Sequence, residues 1–109
     1  MLFDSTCGYA DREGFRCGTG DEFPVFNILT RKKLNIKERP LIIMEGTLQN
    51  FNYRGLFPND VLKVFSYYIK ITKKYKSKFT LLCHNSSFCE DERCFGFKNI
   101  YEKILKLLI

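Results

Sequence analysis

His84 is the single histidine among 109 residues, and it stands at the polar exit of Phe79-Thr80-Leu81-Leu82-Cys83, an apolar run of β character. Histidine exchanges protons near neutrality, and ligands of α/β proteins gather outside the carboxyl ends of their strands. Proton transfer is therefore the chemistry this position offers, with a purely hydrogen-bonded structural histidine as the competing reading. Glu45 stands in a similar place, after the apolar run Leu41-Ile42-Ile43-Met44. A carboxylate beside an imidazole favours its charged form.

Five cysteines, Cys7, Cys17, Cys83, Cys89 and Cys94, form no CxxC pair and are odd in number, which argues against a disulfide ladder or a four-ligand zinc site. Reduced thiols in a cytoplasmic setting are expected, and the chain opens without the pattern of a signal peptide. Cys83, His84, Cys89 and Cys94 leave open a small thiol and metal site.

The elements that must position these groups are read from periodicity. A 109-residue chain that is 45% hydrophobic is sized for one domain, or part of one, spanning 1–109. Met1–Thr6 passes from apolar to polar as the end of a strand does, and Cys7–Asp21 has the Gly-rich, charged composition of a loop around a site. Phe23–Leu29 reads as extended chain, and Arg39–Gly46 as a buried parallel strand. A helix is predicted from Pro58-Asn59-Asp60, with Val61, Leu62, Phe65, Tyr68, Ile69 and Thr72 as its inward stripe. Strand Phe79–His84 and a helix over Asn99–Ile109 follow. This alternation predicts an α/β fold of parallel β/α units, whose right-handed crossovers put Glu45 and His84 on one face.

The net charge of +6 is concentrated in Lys70, Lys73, Lys74, Lys76 and Lys78, the wet face of a helix, with Arg31, Lys32 and Lys33 as a shorter group. Neither group is interleaved with aromatic residues, so no nucleic-acid partner is expected. No run is long enough for a membrane span.

Four stretches in order, Asp4-Ser5-Thr6-x-Gly8-Tyr9-Ala10-Asp11-x-x-Gly14-Phe15-Arg16-Cys17-Gly18-Thr19, Pro40-Leu41-Ile42-Ile43-Met44-Glu45-x-Thr47-Leu48, Leu81-Leu82-Cys83-His84-Asn85-Ser86 and Tyr101-Glu102-Lys103, resemble the C-terminal part of polysaccharide deacetylase-like proteins of the NodB homology fold, closest to a bacterial branch. The resemblance spans nearly the whole chain. It implies a partial β/α barrel and a hydrolase that removes acetyl groups from a carbohydrate substrate. In the complete family domain an Asp and two His hold a divalent metal, usually zinc. The metal activates a water toward the acetyl carbonyl with an Asp as base, while a late His protonates the leaving nitrogen.

Carried onto this sequence, the resemblance makes His84 the general acid. It places Asp11 and Arg16 among the polar residues that orient it, with Glu45 as the rival carboxylate. Glu45 and Asn85 are candidates for substrate contact. The family's Asp-Asp and His-x-x-x-His motifs have no counterpart here, so no metal ligand is assigned and no cofactor is expected in this chain alone. The expectation is a C-terminal segment, inactive by itself, that associates with the missing N-terminal portion of the domain. The alternatives are a non-catalytic glycan-binding module and the small Cys/His metal module.

Overall fold

A computed structural model describes residues 1–88 and 96–109. Five strands, three α-helices and one 3-10 turn follow in order among the described residues: β1 (Phe3–Asp4), β2 (Phe23–Asn27), β3 (Lys32–Glu38), β4 (Ile43–Met44), α1 (Glu45–Gln49), α2 (Pro58–Lys74), β5 (Leu81–Leu82), the 3-10 turn Asn85–Phe88, and α3 (Phe97–Leu108). The chain is α/β, as the alternation of patterns predicts, and its two small sheets close no barrel among the described residues.

The two sheets share a rail of backbone. From Lys37 to Leu41 the chain bonds to the N-terminal segment: the amides of Lys37, Arg39 and Leu41 donate to the carbonyls of Leu2, Asp4 and Cys7. Pro40 is fully buried and has no amide to offer. The partner then changes. The amide of Ile42 donates to Thr80, and β4 pairs in parallel with β5, Ile43 opposite Leu81 and Met44 opposite Leu82. Both strands therefore end at the same edge, which puts Glu45 and His84 side by side.

The other sheet has the order β1-β3-β2, with β1 parallel and β2 antiparallel to β3. The β2–β3 hairpin departs from the purely parallel units expected. Arg31, Lys32 and Lys33 read only as a basic group in sequence, but Leu34 and Ile36 alternate with polar residues, and the turn has its own chemistry. The Asn27 side chain accepts from the amides of Leu29 and Thr30, and Arg31 adopts φ 53°, a left-handed conformation. Pro24 is accommodated because β2 lies at the edge of its sheet, beside a register irregularity between Pro24 and Phe26.

The core lies on the other side of the rail. Ile42 and Ile43 meet Leu48 of α1, Val61, Phe65 and Ile69 of α2, and Ile100 and Ile104 of α3. The α2 stripe is as predicted from sequence, with Val61, Phe65, Ile69 and Thr72 buried and Leu62 and Tyr68 half-buried. Lys70, Lys73 and Lys74 are exposed on α2 as expected, whereas Lys76 and Lys78, also exposed, lie beyond the end of that helix. Helix α3 begins two residues earlier than the sequence pattern indicates, burying Phe97, and it leaves Leu105 and Leu108 exposed. The short helix α1 also goes beyond the sequence reading: Gly46 and Thr47 are poor helix formers, and packing of Thr47 and Leu48 holds the turn instead. No helix among the described residues is long and apolar enough to cross a membrane.

Candidate functional site

The edge where β4 and β5 end carries a compact polar cluster. Glu45 is the first residue of α1 and its side chain is fully buried. A carboxylate so placed is costly unless donors meet it, and here three converge on it. Oε1 accepts from the backbone amide of His84 at 2.6 Å, from His84 Nδ1 at 3.0 Å and from Ser87 Oγ at 2.7 Å, while Oε2 lies 3.2 Å from Nδ1. No buried side-chain polar atom lacks a partner among the described residues.

A carboxylate has only acceptors to offer, so this contact requires the proton on Nδ1. Nε2 makes no hydrogen bond to a described residue, and half of the imidazole surface is open to solvent. The arrangement fixes the ring's tautomer and direction from behind and leaves the outer nitrogen free to give or take a proton. It uses the same logic as the orienting acid of a catalytic triad. Ser87 was not singled out from sequence. Its signal is the short run Asn85-Ser86-Ser87 directly after His84, which folds as a 3-10 turn, returns the third residue under the carboxylate, and lets the Ser87 amide donate to the His84 carbonyl.

Of the residues named from sequence, the structure joins Glu45 to His84 and sets Asn85, exposed, at the start of that 3-10 turn. Asp11 and Arg16 are not part of the cluster. Asp11 is exposed in the loop and makes no side-chain hydrogen bond or ion pair with a described residue. Arg16 donates through Nη1 to the carbonyl of Gly8 at 2.9 Å, so it staples two limbs of the loop. The orienting contact belongs to Glu45.

The loop nevertheless abuts the site through other residues. Thr47 Oγ1 donates to the carbonyl of Ala10 at 2.9 Å, Gly14 N donates to Ile42 O, and Arg54 makes a two-pronged ion pair with Glu13. Two hollows flank the cluster. One, of about 340 Å³, is lined by Gly46, Gln49, Asn50 and the exposed ring of Phe51. The imidazole lies against Gly46, Nδ1 being 3.8 Å from where a Cβ there would sit. The other, of about 290 Å³, lies between Ser5–Ala10 and the ends of the two strands, with Met44 and Leu82 in its wall.

Cys83 precedes His84 and keeps its proton: burial, and secondarily the negative charge of Glu45, push its thiol up from 9.0 to about 12. Cys89 and Cys94 lie outside the described residues. Among the described residues no three His, Cys, Asp or Glu side chains are grouped as a metal would require. The chain has a single histidine, so it does not by itself supply the Asp and two His that hold the divalent metal of the deacetylase-like family.

No family model, curated protein or solved structure matches the chain.

Proposed function

We propose that the chain is the C-terminal part of a polysaccharide deacetylase-like domain, a portion of a β/α barrel, in which His84 is the proton donor to the leaving group of an acetylated sugar. The observation that carries this reading is the buried Glu45 carboxylate on Nδ1 with Nε2 left open. Glu45 is the positioning residue, Ser87 fixes Glu45, and Asn85 stands at the rim for substrate contact. In the reaction, Nε2–H is delivered to the departing nitrogen or oxygen as its bond to the acetyl carbon breaks, and the imidazolium charge is balanced by Glu45. The metal ligands of such a domain lie outside this chain's residues, so the chain alone is inactive.

A non-catalytic glycan-binding role is the second reading, favoured by the exposed Phe51 ring beside the hollow at Gly46. Titrating acetylated chitooligosaccharides into the labelled chain, while assaying acetate, separates the readings. Saturable shifts of His84 and Gly46 resonances without acetate release are expected. Absence of any shift would refute the carbohydrate assignment, and turnover by the chain alone would refute its dependence on residues elsewhere. If His84→Ala leaves binding intact and a complex supplied with the metal-bearing portion still releases acetate at the unmodified rate, the binding module is correct and the proton donor is not. Loss of on the order of a hundredfold or more in that rate is the result expected of a general acid.

A further inference from the structure

Cys7 and Cys17 lie in the loop that frames the site, ten residues apart, with their sulfurs 3.0 Å from one another. The spacing conceals the pair from a search for CxxC motifs, and both thiols are half-buried. We propose that Cys7 and Cys17 are a site of covalent cross-linking, closed to a disulfide by a low-molecular-weight disulfide such as oxidised glutathione.

The backbone already holds the two limbs together. Cys7 N donates to Glu38 Oε1 at 3.0 Å, and the carbonyl of Cys7 accepts from Leu41 N, which fixes one sulfur to the rail. On the other limb Gly18 N donates to Phe15 O, and Arg16 reaches back to the Gly8 carbonyl at 2.9 Å. Residues 16–17 are thus drawn onto residues 7–8 by contacts that do not involve sulfur. Bond formation needs an approach of only about 1 Å to the usual S–S length.

The order of events follows from the hydrogen bond. Cys17 donates its S–H to Cys7 Sγ, and its thiol is pushed up to about 11, first by burial and then by that bond and the Cys7 and Glu38 charges. Cys7 is therefore the attacking sulfur. As the thiolate it displaces one thiolate from the small disulfide and becomes a mixed disulfide. Cys17, giving its proton to solvent, attacks the Cys7 sulfur and expels the second thiolate. Two protein thiols are oxidised by two electrons, and one small disulfide is reduced to two thiols.

The cross-link closes an eleven-residue ring over Tyr9–Glu13, the stretch that meets Thr47 and Arg54. Its effect is to lock the loop onto α1 beside Glu45. The inference stands apart from the proposed activity, since it requires neither a carbohydrate nor a working His84.

The test uses the full chain equilibrated with reduced and oxidised glutathione, alkylated, and digested with trypsin. Cleavage after Arg12, Arg16 and Arg31 separates peptides 1–12 and 17–31. These are expected as one species that reduction splits, with the melting midpoint raised by on the order of 10 °C. Cys7→Ser or Cys17→Ser should abolish both the species and the rise. The proposal is overturned if either peptide is joined instead to 79–93 or 94–98. It is equally overturned if both cysteines carry glutathione or remain alkylatable in fully oxidising buffer, or if the linked chain melts no higher than the reduced one. Because the peptide map reads the unsubstituted chain, a variant that fails to fold does not obscure the result.

Discussion

The β2–β3 hairpin has strands of five and seven residues and the β4–α1–β5 corner strands of two, and they are stabilised in opposite ways. In the hairpin Phe26, Ile28, Leu29 and Leu34 are exposed, and only Glu38, at its base, is buried. The ladder and the Asn27 turn define it, with little apolar area removed from water. In the corner, strands of two residues each are enough, because Ile43, Leu48, Val61 and Phe65 are sealed around them and the buried charge of Glu45 is met by three donors. The contrast teaches that the precise placement of Glu45 against His84 derives from surrounding packing and not from sheet length. The elongated form of the molecule has the same origin: a radius of gyration of 15.3 Å exceeds the roughly 13 Å expected for a compact chain of this size.

Truncation of one ring on each side gives the strongest test of that contrast. Phe65→Ala removes a fully buried ring packed edge-on to Phe79, and should cost about 3–5 kcal/mol in urea unfolding. Phe26→Ala should cost under about 0.5 kcal/mol. Equal losses would mean that the hairpin packs far more tightly than its exposure indicates.

Within the corner, Glu45→Ala strands three donors, the His84 amide, His84 Nδ1 and Ser87 Oγ, and should destabilise by about 2–4 kcal/mol. Ser87→Ala, which removes one of several donors to the same oxygen, should cost about 1 kcal/mol by the same measurement. The reverse order would show that Ser87, not the carboxylate, organises the cluster.

Native-state hydrogen exchange sharpens the comparison further. Amides of Lys32–Glu38 facing β2 should exchange at least about tenfold faster than those of Phe65 and Ile69 in α2, reflecting opening of the hairpin without the core. Matching protection would make the molecule one cooperative unit.

The smallest expected effect is on pH dependence. The Cys83 thiol, raised from 9.0 to about 12 in the fold, stays protonated in both states below pH 9 and contributes its full stability there. Between pH 9 and 12 the unfolded chain releases that proton and the folded chain keeps it, so stability falls as pH rises. Cys83→Ala should flatten the decline of the melting midpoint across about pH 9–10.5. An unchanged slope would place the thiol in an environment no different from the unfolded one.

Much of the corner was legible in the sequence for a physical reason. Leu41–Met44 and Phe79–Leu82 are apolar runs too short for helices, and parallel pairing makes their ends coincide, so Glu45 and His84 follow from pattern alone. The choice among Glu45, Asp11 and Arg16 was not legible, because it depends on register between segments almost forty residues apart. Ser87 was hidden by its place in a polar run whose 3-10 turn has no periodic signature. The hairpin was masked by charge: Lys32, Lys33 and Lys37 outweigh Leu34 and Ile36 in any reading by composition. The closeness of Cys7 and Cys17 arises from loop contacts, which leave no trace in spacing.

The rail at residues 37–44 has a practical corollary. Because β3 is flanked on one side by β1 and on the other by β2, everything before the hairpin tip is attached to everything after it by lateral bonds as well as by the peptide chain. A cut at the Ile28–Arg31 bend would therefore leave the leading piece joined to the trailing one by the β1–β3 and β2–β3 ladders. The leading piece would carry the framing loop and the trailing piece the imidazole and its buried acid, so the candidate face is shared between the two sides of that bend.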